Sequence, residues 1–352
     1  VQTCALPICL QVDVRVVPKA RWGTAIQYFT GSQAHNIKIR EIALQQGYSL
    51  NEFALSPVDE NRQIIPDAEK LTFETEEALY EKLGLQWIPP ELREDAGEIE
   101  QARQQKLPQL ISISDIRGDL HMHSTWSDGR LSVREMAEEA RRRGLKYIVI
   151  TDHSQRSVQA NGLSAERLLQ QQDEVRQVNA ELDGIEVLHG TEMDIKENGA
   201  LDFPDELLAK LDFVVASLHM GLNQQREQVT QRLLNAIKNP HVDLIGHPTA
   251  RYINDRGPVE ADMDAVLAAA KAHGTVLEIN SNPRRLDLDA QYARQAVDMG
   301  VLLAINTDSH SVKMFDTLSY GILTARRGWV RADSVINTWD YARFKAWVEA
   351  RA

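Results

Sequence analysis

From Arg117 onward, short apolar segments alternate with longer amphipathic segments. The apolar segments have the length and composition of buried strands, and they lie at 118–122, 146–151, 185–191, 212–217, 242–246, 275–279 and 301–305. Between them, segments with helical periodicity lie near 132–143, 164–182, 226–238, 260–273 and 289–299. This alternation predicts an α/β fold with a parallel sheet covered by helices. Seven such units favour a barrel related to the TIM type, with an open doubly wound sheet as the alternative.

The residues before this alternation show a mixed pattern. Residues 10–17 alternate as a strand, a helix follows from the capping residue Ser32 to about Gln46, and a short helix at 72–83 opens at Thr75. An acidic, Gln-rich connector comes next. We therefore predict a small α+β region at 10–95, a linker at 96–114 and the barrel at 115–352.

Residues 1–9 look like a translated sequencing adapter, with an ordinary N-terminal tail as the alternative. We expect an artefactual tail, a missing true N-terminus and a fold that begins at residue 10. Both cysteines, Cys4 and Cys9, lie in this tail. Disulfides and thiolate metal sites are therefore excluded from the rest of the chain.

The composition is typical of a soluble globular protein, with 26% charged and 43% hydrophobic residues. No apolar run reaches the length of a membrane span, and no secretion signal is recognisable, so we expect a cytoplasmic protein without a membrane partner. The net charge of -12 argues against broad nonspecific binding to nucleic acid or anionic lipid.

Ionisable side chains follow six of the predicted strands. Since parallel barrel strands end at one rim, we expect these side chains to meet there. Crowding them without counter-charges would be costly, whereas divalent cations bind carboxylates and neutral imidazoles. The candidate ligands are His121, His123, Asp128, His153, Glu192, His219, His247, Asp308 and His310. Asp152 is expected to orient a ligand, and His35, His189, His241 and His273 are expected to be structural.

The sequence motifs around these candidates resemble the full motif set of the PHP (polymerase and histidinol phosphatase) domain. They are His121-x-His123, Thr151-Asp152-His153, Gly190-Thr191-Glu192, Ser217-Leu218-His219, Gly246-His247-Pro248 and Asp308-Ser309-His310. The resemblance implies a distorted seven-stranded barrel with up to three Mn or Zn ions. It assigns the first metal to His121, His123, Glu192 and Asp308, which would form the catalytic centre. It assigns the second to Glu192, His219 and His247, with Glu192 as a bridge, and the third to Asp128, His153 and His310.

Residues 10–95 resemble the late palm and the thumb of family X DNA polymerases. The resemblance rests on Val12-Asp13-Val14-Arg15-Val16, on Tyr28-Phe29-Thr30-Gly31-Ser32, and on His35-Asn36 with Arg40. It implies that Asp13 is a palm metal ligand, that Tyr28, Phe29 and Gly31 line a nucleotide pocket, and that Asn36 and Arg40 touch nucleotide or DNA. The fingers and the paired palm carboxylates are absent from this sequence, so polymerase activity is not assigned to it.

Bacterial family X polymerases carry a PHP domain after the thumb, so the two resemblances agree in their order along the chain. Together they imply a metal-dependent phosphoesterase for DNA 3′ ends, acting as a 3′–5′ exonuclease or 3′-phosphatase in DNA repair. The expected partner of the full-length protein is gapped or nicked DNA, and the expected state is a monomer. Arg251 and Arg284 are candidate phosphate ligands, although Ala250 stands where the family often has glycine.

Three alternative functions remain open. The first is a stand-alone phosphomonoesterase of the histidinol-phosphate phosphatase type, against which the thumb-like region argues. The second is a non-catalytic, metal-stabilised structural module, against which the complete ligand set argues. The third is a DNA-binding scaffold without catalysis.

Overall fold

Residues 2–5 and 11–351 are described by the structure, a computed structural model. The chain divides between Pro108 and Gln109 into two compact units. Of the predicted tail, residues 2–5 form a strand, whereas residues 1 and 6–9 lie outside the described residues, as does residue 10 of the predicted first strand. Among the described residues, no helix is both long and apolar enough to cross a membrane.

The first unit combines short strands with four α-helices among its described residues. Its elements are β1 (Gln2–Ala5), β2 (Gln11–Val14), α1 (Trp22–Tyr28), α2 (Gln33–Gln45), β3 (Tyr48–Leu50), β4 (Leu55–Pro57), α3 (Glu76–Lys82) and α4 (Glu98–Arg103). Strands β1 and β2 pair antiparallel, as do β3 and β4. The predicted strand and both predicted helices are present as β2, α2 and α3. Helices α1 and α4 and the β3–β4 hairpin were not predicted.

The predicted linker at 96–114 is in part a folded element of the first unit. Helix α4 lies within it and buries Ile99 and Ala102. Its first residue, Glu98, accepts a hydrogen bond from the buried His35 of α2, with 2.7 Å between Oε1 and Nδ1. The other ring nitrogen of His35 lies 3.0 Å from the Tyr80 hydroxyl of α3. These buried polar contacts join three helices, and His35 has the structural role that its sequence context indicated.

The second unit is a seven-stranded parallel sheet that curls into a nearly closed barrel. Its strands are β5 (Gly118–Asp119), β6 (Tyr147–Ile150), β7 (Glu186–Asp194), β8 (Phe213–Ser217), β9 (Leu244–Ile245), β10 (Val276–Asn280) and β11 (Leu303–Asn306), and they neighbour one another in chain order. A parallel bridge between Met122 and Ser309 joins the segments that follow the two outer strands. Thr307 also donates hydrogen bonds to the Asp119 carboxylate across this seam. The predicted barrel architecture is therefore confirmed.

Helices cover the outside of the barrel. They are α5 (Val133–Arg142), α6 (Ala165–Glu181), α7 (Asp205–Leu208), α8 (Arg226–Lys238), α9 (Met263–His273), α10 (Ala290–Met299), α11 (Leu318–Arg327) and α12 (Tyr341–Glu349). Five of these lie where helical periodicity was recognised in the sequence, and α7, α11 and α12 were not predicted. The apolar faces of all these helices except α12 pack on the outward-facing strand residues, and this layer forms a large core cluster.

The barrel interior changes from apolar to polar along the strands. Tyr147, Phe213 and Val276 fill its lower end, which Phe344 of α12 closes by stacking on Tyr147 with 4.7 Å between the ring centroids. Since side chains alternate along a strand, the next inward position of β10 after Val276 belongs to Glu278. The apolar plug thus supports a layer of buried polar groups at the carboxyl ends of the strands.

Candidate metal centre

Glu192 lies at the middle of this polar layer, on the inner face of β7. Its Oε1 atom is 2.9 Å from Nε2 of His247 and 3.2 Å from Nε2 of His219. Its Oε2 atom faces three further imidazole nitrogens, at 2.9 Å for His153 Nδ1, 3.4 Å for His121 Nε2 and 3.6 Å for His123 Nε2. The two oxygens of one carboxylate therefore face two different sets of histidines.

Asp308 and Asp128 complete the cluster on the side of β11. Oδ1 of Asp308 lies 3.2 Å from His123 Nε2 and 3.6 Å from His121 Nε2. Oδ1 of Asp128, on the loop after His123, lies 3.2 Å from His310 Nε2 and 3.7 Å from His153 Nε2. Asp128 is the more exposed of the two carboxylates and occupies the outer edge of the site.

The structure brings all nine expected ligand residues together at one rim. Three sets of ligand atoms each lie within 4.8 Å of one another: His121, His123 and Asp308; His153, Glu192 and His219; and His123, Asp128, His153 and His310. The sets differ in three places from those implied by the PHP resemblance. Glu192 is not within this distance of all members of the first set, although its Oε2 atom lies 3.4 Å from His121 Nε2 and 3.6 Å from His123 Nε2. His153 takes the position next to Glu192 and His219 that was expected for His247, and His123 also joins the outer set. His247 still faces Glu192, from its Oε1 side.

The unmet hydrogen-bonding capacity of this cluster fits divalent cations. Among the described residues, His121 Nε2, both ring nitrogens of His123 and His153 Nδ1 are buried and make no hydrogen bond of acceptable geometry, although carboxylate oxygens lie close to them. Buried nitrogens in this state are costly unless something binds them. A divalent cation does so, because it accepts neutral imidazole and carboxylate ligands together.

The electrostatic environment holds the central carboxylate ionised and keeps two of the ligand imidazoles neutral. Burial by itself would raise the pKa of the Glu192 carboxyl, but the surrounding His219, His121 and His153 outweigh it and hold this pKa well below its usual range. Burial lowers the pKa of His123 to about 3 and that of His247 to about 4. Burial would also lower the pKa of His219, but the carboxylates of Glu192 and Asp194 raise it to about 10. The ionised Glu192 therefore lies beside both neutral and protonated imidazoles at neutral pH, and a divalent cation would replace the protons of the latter.

Two buried carboxylates that sequence reasoning missed position the histidines. Glu278 lies 2.8 Å from Nδ1 of His121 and accepts a hydrogen bond of 2.7 Å from the backbone N–H of His247. Asp194 lies 2.9 Å from Nδ1 of His219. Such contacts fix the ring so that its other nitrogen faces the metal. The available signal for Glu278 was a glutamate at an inward position of the apolar strand Val276–Asn280.

Replacing Glu278 by glutamine is expected to weaken metal affinity by about 10–100-fold, the range found when such supporting partners are removed. The substituted amide would turn its NH₂ group toward at least one of the donors that Glu278 now accepts from, including Asn306 Nδ2 at 2.9 Å. Titrating the metal-free protein with Mn²⁺ and Zn²⁺ by calorimetry measures the effect. Glu186→Gln, an exposed substitution at the opposite end of β7, is the matched control.

Asp152 was expected to orient a metal ligand, and in the structure it acts on the loop that carries Asp128 and not on an imidazole ring. Its carboxylate accepts hydrogen bonds from the Ser124 backbone N–H at 2.8 Å, from the hydroxyls of Ser124 and Ser127, and from the Gln171 amide. These partners lie in the loop that carries Asp128 and in α6, so Asp152 holds a loop in place instead of an imidazole ring.

The arginine that faces the site also differs from the two candidates. Arg251 donates hydrogen bonds to the carbonyl oxygens of Arg285 and Leu286, away from the ligands. Arg284 is exposed, and its guanidinium lies 4.1 Å from the centroid of the Tyr252 ring. Arg285 instead lines the cavity above the ligands, with Nε 3.8 Å from Asp308 Oδ2. Ala250 adopts a positive φ of 49°, a conformation that favours the glycine often found there in the family.

The residues that resemble the polymerase nucleotide pocket lie mainly around the α1–α2 junction of the first unit. Asn36 donates hydrogen bonds to the carbonyl oxygens of Thr30 and Ser32 and thereby holds the turn that contains Gly31. Phe29 is exposed, with the Arg15 guanidinium 4.4 Å from its ring centroid. The three other expected residues are Tyr28 at the end of α1, the exposed Arg40 on α2 and the exposed Asp13 on β2.

Comparisons with known proteins agree with this organisation. Residues 25–94 match the family described as DNA polymerase beta thumb, and residues 119–282 match the PHP domain family. The DNA polymerase/3′-5′ exonuclease PolX of Bacillus subtilis is 44% identical over 326 residues, covering 93% of this chain and 56% of that protein. A probable phosphatase of Thermoanaerobacter sp. is 32% identical over 244 residues, covering 66% of this chain and 94% of that protein.

Among solved structures, a histidinol phosphate phosphatase from Lactococcus lactis complexed with zinc, L-histidinol and phosphate aligns with 61% of this chain and 94% of its own, at a TM-score of 0.45 and 20% identity. The chain spans little more than half the length of the Bacillus subtilis relative.

A seven-stranded barrel with clustered histidines and carboxylates at its carboxyl rim defines the class as the PHP metal-dependent hydrolases, and the site is a divalent metal site. The match to the polymerase thumb family, which precedes the PHP match along the chain, indicates which group of PHP proteins this chain belongs to. The chain belongs to the family X DNA polymerases that carry a PHP domain.

Proposed function

We propose that this chain is a metal-dependent phosphoesterase that acts on DNA 3′ ends, as a 3′–5′ exonuclease or 3′-phosphatase, with up to three Mn or Zn ions. The observation that carries the proposal is the set of three overlapping ligand groups at the floor of one cavity. When bound, divalent cations neutralise phosphate charge, lower the pKa of an attacking water and stabilise the leaving oxygen. The ions are proposed to be held by His121, His123 and Asp308, by Glu192 with His219 and His247 or His153, and by Asp128 with His153 and His310.

The shape of the site supports a substrate larger than a phosphate ion. The cavity has a volume of about 1200 Å³ and opens above the ligands. Besides the metal ligands, its lining includes the segment 155–160, Tyr252, Asn282 and Arg285. Glu192 and Asp308 are ionised and buried at the floor, while Asp128 lies at the edge. The chain therefore provides a fixed anionic floor for cations and open room for a nucleotide.

DNA is the proposed partner on account of the thumb region and of the Bacillus subtilis relative, whose name includes a 3′-5′ exonuclease. Affinity for DNA comes largely from cationic contacts to backbone phosphates. Residues 10–57 carry a small net positive charge, and the remainder of the chain is acidic. The barrel is thus suited to hydrolysis at a DNA terminus more than to tight binding of long duplex DNA. Gapped or nicked 3′ ends, held by the full-length protein, are the substrates that we propose.

The test compares phosphoester hydrolysis with DNA degradation in the same protein preparation. With added Mn²⁺ or Zn²⁺, we expect turnover of a chromogenic phosphoester and of an oligonucleotide 3′-phosphate. Degradation of a labelled 3′-hydroxyl oligonucleotide should be weak and distributive, with steep loss between low and physiological salt. Processive degradation that persists at physiological salt would show that the barrel binds DNA tightly by itself. If none of these substrates is hydrolysed with either metal, the proposed function is contradicted.

A further inference from the structure

A buried arginine in the helix layer contacts the chain on both sides of the metal site. Arg232 of α8 is only 2% exposed. Its guanidinium donates hydrogen bonds to four neutral oxygens, which are the carbonyls of Ile195, Met220 and Gly221 and the side-chain amide oxygen of Gln224. Withdrawing a guanidinium from water is costly, and these acceptors offset part of the cost. Arg232 is therefore committed to the backbone around it.

One nitrogen of this guanidinium joins two segments of the metal site. Nη2 donates to the carbonyl oxygen of Met220 at 2.8 Å and to that of Ile195 at 2.5 Å. Met220 directly follows the ligand His219, and Ile195 directly follows Asp194. The Asp194 carboxylate in turn lies 2.9 Å from Nδ1 of His219. His219 and Asp194 are thus joined twice, directly through their side chains and indirectly through Arg232 and the backbone.

The loop that carries His219 depends on this arginine for part of its hydrogen bonding. Residues 218–225 connect β8 to α8 and contain neither helix nor strand. Backbone carbonyls in such a loop need donors when they are withdrawn from water. The second terminal nitrogen of Arg232, Nη1, donates to the Gly221 carbonyl at 3.1 Å and to Gln224 Oε1 at 2.9 Å. Gly221 has a positive φ of 65°, and a Cβ atom there would lie 3.0 Å from Nη1. The loop backbone therefore follows the surface of the guanidinium closely.

We infer that Arg232 is a positioning residue for the metal ligand His219. It holds the His219 backbone beside Asp194, so that Nδ1 of the ring meets that carboxylate and Nε2 faces Glu192 at 3.2 Å. The inference rests on the proposed metal-dependent function and adds a residue that acts on the site through the backbone. The ligand that this arrangement serves is a divalent cation, because supporting contacts of this kind set the affinity of a metal ligand.

The test is calorimetric titration of the metal-free protein with Zn²⁺, so that the readout does not depend on turnover. His219→Ala removes the ligand and identifies the binding step to which His219 contributes. Arg232→Met removes the donors but keeps a long side chain. It should weaken that same step by at least about tenfold and change the other steps by less than about twofold. Arg226→Met is the matched control, because Arg226 lies on the same helix but is exposed and pairs with Asp262 at 3.2 Å.

A double-mutant cycle separates positioning from a general loss of stability. If Arg232 acts through His219, Arg232→Met should weaken Zn²⁺ binding in the unsubstituted protein but change it by less than about twofold once His219 is alanine. A purely structural effect would lower Zn²⁺ affinity equally in both backgrounds, and this result would overturn the inference. Unchanged Zn²⁺ binding by a folded Arg232→Met protein would overturn it as well.

Arg232→Lys covers the case in which the methionine variant does not fold. Lysine keeps the charge, but a single ammonium group cannot occupy the positions of both Nη1 and Nη2. The step that involves His219 should therefore weaken, and the other steps should keep their affinities. A lysine variant that binds Zn²⁺ as tightly as the unsubstituted protein at every step would contradict the positioning role.

The inference and the proposed function fail in different ways. If the His219 step depends on Arg232 but no phosphoester is hydrolysed, the inference stands and the proposed function falls. If phosphoesters are hydrolysed and the His219 step does not depend on Arg232, the proposed function stands and the inference falls. If both hold, turnover by Arg232→Met should be low at limiting Zn²⁺ and should recover at excess Zn²⁺, since the variant weakens binding of the cation.

Discussion

Replacing Glu192 by glutamine is expected to lower phosphoesterase turnover by at least about a thousandfold, which corresponds to roughly 4 kcal/mol in the activation free energy. Glu192 presents one oxygen to His219 and His247 and the other to His121, His123 and His153. Glutamine keeps the size of the side chain but replaces one of these oxygens by an NH₂ group, which cannot bind a cation. The substitution therefore removes the proposed bridge while it preserves the packing.

Asp128→Asn is the comparison that isolates the bridging role. Asp128 belongs to the outer ligand group only, and its side chain is 36% exposed. Its loss should reduce turnover by about tenfold, because only the outermost ligand group is weakened. Metal content by elemental analysis and turnover of a chromogenic phosphoester are the measurements. Glu186→Gln, on the same strand as Glu192, controls for general effects of charge. Equal losses for Glu192→Gln and Asp128→Asn would contradict the bridge.

The barrel was predictable because its short apolar strands and its amphipathic helices have distinct patterns of hydrophobic residues along the sequence. Each predicted strand of the second unit contains an observed strand or overlaps most of one, and the predicted helix at 226–238 has the bounds of α8. The predictions missed α12, whose Phe344 lies inside the apolar plug at the bottom of the barrel. A helix that packs aromatic residues against a strand end, instead of lying along the sheet, does not follow the alternating pattern.

The ligands were predictable, and their supporting partners were not. His121, Glu192 and Asp308 lie at strand ends, where the chemistry of such barrels is found. Glu278 lies within a strand, and its contact with His121 crosses 157 positions of sequence. Arg285 was missed for a related reason: two adjacent arginines follow β10, and only the backbone after Asn282 decides which one turns toward the cavity. Spacing along the chain carries no information about either contact.

Removing the metals with a chelator is expected to abolish turnover and to lower the melting temperature by roughly 10 °C. A ligand present at a thousand times its dissociation constant stabilises the folded state by about 4 kcal/mol. In a unit of this size, each kcal/mol shifts the melting temperature by about 2–4 °C. The metal-free site also leaves the buried nitrogens of His121, His123 and His153 without a hydrogen bond of acceptable geometry among the described residues. Their desolvation is then uncompensated, so the loss should be concentrated at the rim of the barrel.

Differential scanning calorimetry before and after chelation measures the shift, and hydrogen exchange locates it. Exchange should accelerate in the segments that carry the ligands, 119–128 and 307–310, and much less in the apolar plug around Phe213 and Phe344. Added Mn²⁺ or Zn²⁺ should restore both turnover and melting temperature. In the Glu192→Gln protein, the shift on chelation should be smaller, because less metal is bound at the start. If the melting temperature does not change on chelation, the ligand cluster is stable without cations. This result would contradict the expectation that bound cations compensate the desolvation of the buried histidines.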